Sequence, residues 1–358
     1  MKIQIAGTGC VTPLGCSVAE IMKRTAAGER AAITELVNPE TGCVLPAALV
    51  PPEYVAHLTR EPRLRRSSAI SLLAAAAGKA ALADSGIDFT NEAKKGLAVV
   101  FGVSSGGVQY TRRFYEQVVK QGASAASPLL FPETVYNAPA SHLAAMLGVD
   151  GATYTLVGDS TVGMQALHFA TQLIATGSAE HVLVVAAEEL DWIIVEAHRT
   201  WRLMAPHGHM VAHTQPSTGA LFAEGAAAVV VGREGQRAAV HLRDGCTFLS
   251  RAEAPASMDR LLGDLAEFSP VDLVVSGGNG TWTDDVIESA IARHFPEARR
   301  PWLMPKDGIG EILGAGALLQ ILFAVDALER TGSRRALAAA MGWNQQAAAA
   351  VIERATIG

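Results

Sequence analysis

The amino-acid sequence predicts an α/β body of stacked layers, and three observations carry that reading. Short apolar runs rich in β-branched residues alternate with Ala-rich segments of helical length. The runs lack the polar alternation of a half-solvated strand, which marks sheets covered on both faces. No low-complexity linker cuts the 358 residues, a length that suits one large domain or two halves packed as one body.

Each element follows in chain order. KIQIAG (2–7) reads as a first strand entering a turn; Thr8, Gly9 and Pro13 break the apolar patch too early for a secretion signal. Helices are expected over 17–27 and 67–85. The second lies in the most apolar stretch, yet Lys79 interrupts it before the ~18–20 apolar residues that a membrane span requires. LAVVFGV (97–103) and TYTLVG (153–158) read as strands, with helices over 108–121 and 139–147 between them. Residues 161–177 are apolar all round and stop at Gly177, so this helix belongs at the centre of the molecule. HVLVVAA (181–187) is the next strand. Near residue 225 one strand–helix series ends, and AAAVVVG (226–232) opens a shorter one. That divides the chain into halves, 1–225 and 226–358. The second half holds strands over 271–276 and 347–353 and helices over 284–295 and 312–329.

Composition narrows the function. Hydrophobic residues at 49% and charged residues at 18% exclude disorder, a fibre and a coiled-coil rod. Lys and Arg number 29 against 35 Asp and Glu, with no basic block, which argues against a nucleic-acid partner. Cys10, Cys16, Cys43 and Cys246 form no CxxC and are expected as reduced thiols of a cytoplasmic protein without a membrane partner. His198, His207, His209 and His213 fall around HGHMVAH, but no cysteine or patterned carboxylate completes a ligand set; a solvent-exposed loop and no metal are expected there. His142 and His168 lie within helices and are expected to be packed and hydrogen-bonded.

Three segments sit where a strand hands over to a loop or helix: LVGDSTVGMQAL (156–167), VVSGGNGTWTDD (274–285) and MPKDGIGEILGAGA (304–317). With IAGTGCVTPLGCSVAE, FGVSSGG, FPETVYNAPASHLAAMLGVDGATYTLVGDS, HVLVVAAEE and FAEGAAAVVVG in the same order, the sequence resembles the β-ketoacyl-acyl-carrier-protein synthase family from residue 1 to the end. The resemblance implies a thiolase-like, layered α-β-α-β-α fold built from two similar halves. Against a complete member of that family the chain is short, with length missing around 200–220 and within the second half.

The departures from the family carry the functional reading. Condensation there uses a cysteine thiolate at a helix N-terminus and two histidines that hydrogen-bond the thioester carbonyl. Motif by motif, the cysteine position is Ser160, the histidine of HGTGT is Asn279, and the histidine of KxxxxGH is Glu311, while Lys306 keeps the lysine. A serine hydroxyl without an imidazole lacks a base, and an ionised Glu311 accepts hydrogen bonds where an enolate needs donors. No catalytic residue is therefore expected, and Ser160 is expected to cap helix 161–177. The family's GFGG gate reads GWNQ (342–345), with Trp343 at the aromatic position and two glycines lost, which implies a more static loop.

The sequence thus looks like a chain-length factor of a type II polyketide or polyene system. The resemblance implies an obligate heterodimer with an active ketosynthase, paired through strand 153–158, with no cofactor and only indirect dealings with acyl carrier protein. Tunnel and interface candidates are Tyr110, Phe114, Leu129, Leu130 and Phe131, each of which is otherwise plain core. Arg65 and Arg66 match a basic pair that holds carrier protein, or else begin a solvated helix. Competing readings are a serine-dependent acyltransferase, thioesterase or malonyl decarboxylase using Ser160, and a self-paired scaffold or carrier-protein binder.

Overall fold

A computed structural model of the chain describes residues 3–89, 96–233, 235, 237–298 and 300–355. The strands are β1 (Ile3–Val11), β2 (Thr34–Val37), β3 (Val44–Ala48), β4 (Leu97–Val103), β5 (Thr153–Val157), β6 (His181–Glu188), β7 (Phe222–Ala223), β8 (Gly225–Gly232), β9 (Ala238–Thr247), β10 (Leu273–Ser276), β11 (Arg335–Met341) and β12 (Gln346–Arg354). The α-helices are α1 (Val18–Ala26), α2 (Ala69–Asp84), α3 (Val108–Gln121), α4 (Ala138–Leu147), α5 (Val162–Ala175), α6 (Trp192–Thr200), α7 (Ala254–Leu265), α8 (Thr283–His294), α9 (Pro305–Ile309) and α10 (Gly316–Thr331).

Nine strands join in one sheet in the order β10-β11-β12-β9-β1-β8-β6-β4-β5, and β2, β3 and β7 form a small second sheet. The nine divide by pattern. On one side β8 runs antiparallel to both β1 and β6, and β4 is parallel to β6. On the other β12 runs antiparallel to β9 and β11, and β10 is parallel to β11. The antiparallel seam of β1 with β9 makes the sheet continuous. The sequence reading opens the second half with residue 226. That strand, β8, sits between β1 and β6, so we propose that the halves meet after Gly232.

The layers follow from where apolar surface is buried. Helix α2 lies over β1, β6 and β8, and α7 lies over β9 and β12, each forming an outer apolar layer. Between the two halves of the sheet, α5 and α10 pack on each other in the largest cluster of buried residues. Their close approach depends on Gly163, where an added Cβ would lie 2.8 Å from the Leu318 Cβ. Gly9 plays the same part under α2, since a Cβ there would lie 2.3 Å from the Ala77 carbonyl oxygen. The apolar helix 161–177 is indeed central, and the layered α/β prediction holds.

Other readings need correction. Strand β5 is not covered on both faces: it is the outermost strand, with Thr153, Tyr154 and Val157 exposed. Arg65 and Arg66 are exposed in a run of turns, and α2 begins only at Ala69, after the Ser68 N-cap. The last long helix starts at Gly316, because residues 312–315 form the turn that leads into it. Strands β9 and β11 and helices α6 and α7 were not foreseen. Among the described residues no helix is long and apolar enough to cross a membrane.

Candidate functional site

The three loop segments singled out in the sequence converge at one end of α5 and α10. Short helix α9 places Lys306, and Glu311 is pinned by strand β7, its N–H donating to Leu221 O (2.7 Å) and its carbonyl accepting from Ala223 N (2.8 Å). Asn279 follows β10. Its own N–H and that of Gly280 donate to the two carboxylate oxygens of Asp284, in the first turn of α8, which fixes the loop.

Side chains then close a dry polar network. Lys306 Nζ donates to Glu311 Oε2 at 2.6 Å and to Gly277 O at 3.1 Å, and Asn279 Nδ2 donates to the same Glu311 oxygen at 2.9 Å. Asn279 Oδ1 accepts from Thr281 Oγ1 and Thr283 Oγ1, and Thr281 Oγ1 accepts in turn from Trp343 Nε1 at 3.0 Å. Lys306, Glu311 and Asn279 are all essentially inaccessible to solvent. An ion pair this deep holds only because each charge has its partner and further hydrogen bonds. The amide of Asn279 and the carboxylate of Glu311, the two positions that the sequence resemblance singled out, are thus bonded to each other.

Ser160 is fully buried, and its Oγ has no hydrogen-bond partner among the described residues. It does not cap the helix as the sequence suggested: Thr161 holds the N-cap position of α5, also without a side-chain bond. No histidine stands at bonding distance from the Ser160 hydroxyl. His198 lies instead on α6, its Nδ1–H donating to Ile194 O (2.8 Å) and its ring set against Phe222 (4.4 Å between centroids) and Trp343 (5.5 Å). Burial pushes its pKa down, so it is a neutral packing residue.

His213 also departs from expectation. Its side chain is buried rather than solvated, with Nε2 2.6 Å from Ser276 Oγ and Nδ1 3.3 Å from Glu288 Oε2. His207 and His209 are exposed, and no cluster of three His, Cys, Asp or Glu among the described residues is arranged to hold a metal ion. His142 lies 2.6 Å from Glu133 Oε1.

The remaining sequence candidates lie away from this network. Tyr110 OH donates to Arg66 O (3.1 Å), Phe114 packs on Phe131 (5.8 Å between centroids), and Leu130 is half-buried. Leu129 and Phe131 are exposed, at 76% and 55%, and so are not core. They share the surface with Tyr115, Val119 and Tyr136.

Sequence reasoning missed a set of buried carboxylates that form no ion pair among the described residues. Glu188 accepts from Ser104 N, Ser105 N and Gly314 N; Glu189 accepts from Ile70 N and Gln109 N, so one carboxylate caps both α2 and α3. Glu224 accepts from Val50 N and Leu190 N. The one signal was the pair of glutamates ending an apolar run, at 188 and 189. Burial outweighs the backbone donors and pushes the carboxyls of Glu188 and Glu189 up to about 7.

A folded-state pKa above the unfolded one means that the native protein holds the proton more tightly, and stability declines as pH rises through the interval between them. The free energy of unfolding is therefore expected to fall by a few kcal/mol between about pH 4.5 and about pH 7, read as falling urea midpoints, and Glu189→Gln is expected to flatten the slope. A midpoint that rises over this range would contradict the assignment.

A cavity of about 660 Å³ opens beside the network, with Cys43, Arg199, Arg202 and Arg251 near its mouth and Gly280, Thr281 and Trp282 at its inner end. Ser160, Asn279, Lys306 and Glu311 do not line it.

The sequence model of the β-ketoacyl synthase N-terminal domain matches residues 1–237. The 3-oxoacyl-[acyl-carrier-protein] synthase 2 of Vibrio harveyi is 25% identical over 189 residues, which are 52% of this chain and 46% of that one, so the match spans about half the relative's length. The tetracenomycin polyketide synthase ketoacyl synthase beta subunit of Streptomyces glaucescens is 24% identical, covering 90% of this chain and 84% of its own. Among solved structures, the ishigamide ketosynthase/chain length factor superposes with a TM-score of 0.81 at 21% identity, over 99% of this chain and 100% of that one.

Proposed function

This chain belongs to the β-ketoacyl synthase family, and we propose that within it the chain acts as a catalytically silent chain-length factor, paired with an active ketosynthase whose acyl tunnel it shapes. The observation that carries the reading is the Ser160 hydroxyl, buried with no hydrogen-bond partner among the described residues, while the Asn279 amide and the Lys306 ammonium are both bonded to Oε2 of Glu311. Nothing there raises the nucleophilicity of the serine, and the Asn279 amide and Glu311 carboxylate are tied to each other instead of donating to an enolate. A serine-dependent acyltransferase would need the base that is missing.

Two further features support a paired subunit. Strand β5 leaves one edge of a nine-stranded sheet open, and its Tyr154 and Val157, like Leu129, Phe131 and Tyr136, are exposed large apolar side chains. The similarity to a ketoacyl synthase beta subunit and to a ketosynthase/chain length factor assembly points the same way.

In this reading the function is steric. Phe114 and Leu130, set behind the exposed Phe131, form part of the floor that limits the partner's product. Reconstituted with a cognate ketosynthase and carrier protein, Phe114→Ala is expected to lengthen the polyketide and Leu130→Trp to shorten it, by at least one two-carbon unit, as read by mass spectrometry. Identical product lengths in both variants would end the reading. An acyl adduct on Ser160 in the isolated chain would favour a serine enzyme.

A further inference from the structure

The turn between β11 and β12 packs on the loop that carries the serine, and it is held from several sides. Trp343 is tied to Thr281 through its indole N–H. Gly342 N donates to Gln346 O (2.8 Å), and Phe248 N donates to Gln345 O (3.2 Å). The shortest bond comes from the residue next to the serine: Asn344 N donates to Asp159 Oδ2 at 2.7 Å. The Asp159 N–H in turn faces Gln346 Oε1 at 3.4 Å. The carboxylate is packed so tightly on the turn that a Cβ at Gly342 would lie 1.9 Å from Asp159 Oδ2.

Asp159 is 8% exposed and forms no ion pair among the described residues. Burying a carboxylate without a cation is costly, and its compensation is the set of N–H groups aimed at it: Asn344 N, with Thr161 N at 3.4 Å. No role in proton transfer to Ser160 explains it, since the Ser160 hydroxyl has no partner. The nearby cavity is lined by Gly280, Thr281 and Trp282, and Thr281 is the residue to which Trp343 is bonded.

We propose that Asp159 is a latch: its carboxylate holds the 342–345 turn against the serine's loop and so bars access to Ser160. This positioning role stands apart from the chain-length reading, because it concerns access to the serine and not the partner's product.

The test uses the full-length chain with Ser160→Cys as a reporter thiol, alkylated by iodoacetamide and followed by mass spectrometry of the peptide that contains it. Rates are compared on the high-pH plateau, where the thiolate is fully formed and the loss of a neighbouring charge no longer alters its fraction. Adding Asp159→Ala is expected to accelerate labelling at least tenfold and to expose Trp343 to acrylamide quenching. Asp159→Asn keeps an acceptor oxygen for the Asn344 N–H and is expected to stay near the parental rate. If the alanine variant does not fold, Asp159→Ser, too short to reach Asn344, takes its place with the same expected rise. An alanine or serine variant that is no faster than the asparagine variant overturns the latch.

Discussion

Replacing Lys306 by methionine will destabilise the protein by about 3–5 kcal/mol, because it strands the Glu311 carboxylate in a site with no solvent and no other cation. The ammonium supplies the shortest of that carboxylate's contacts, at 2.6 Å, and Asn279 alone cannot neutralise it. The double variant Lys306→Met with Glu311→Gln removes both charges and keeps an acceptor for the Asn279 amide, so most of the stability should return. The coupling between the two sites, measured by urea denaturation of both single variants and the double, is the quantity to read. If the lysine variant alone is as stable as the double, the pair does not hold the site as described.

The second large effect concerns the open edge. If a partner strand completes β5, then Val157→Asp places an unpaired charge in the middle of a desolvated seam, at a cost of about 3–5 kcal/mol, or roughly a hundredfold to several-thousandfold loss of affinity. Val157 is 53% exposed in the free chain, so the same change should leave its melting temperature nearly unaltered. Co-purification with the ketosynthase and sedimentation of the mixture separate the two effects. Leu249→Asp, an apolar position in the second half of the chain that is even more exposed, is the control and should leave assembly intact. Normal pairing of the Val157 variant would remove β5 from the interface.

The elements legible in the sequence are those whose residues agree with their surroundings. LAVVFGV, HVLVVAA and AAAVVVG form β4, β6 and β8 because β-branched runs suit a sheet covered on both sides. Strand β11 is RALAAAM, a composition that favours a helix, and only its place between β10 and β12 makes it a strand. Helix α6 begins WIIV, which favours a strand, yet the Asp191 side chain accepts from Ile193 N and starts a helix. In the site, Ser160, Asn279, Lys306 and Glu311 were identifiable by position. Asp159, Glu188 and Glu189 were not, because what gives each its role is a backbone N–H from a segment distant in sequence.

The bonded trio at the end of α10 also bears on how such a pocket changes over generations. Ser160→Cys alone yields a thiol with no imidazole to ionise it. Asn279→His alone forces a ring among Thr281, Thr283 and the carboxylate that now grips the amide. Glu311→His alone takes away the counterion 2.6 Å from a sealed lysine. On the proposed reading each change gives no turnover until the others are made, and the last weakens the molecule meanwhile. On the proposed reading, selection can keep retuning the surface of such a subunit while the route to condensation stays closed.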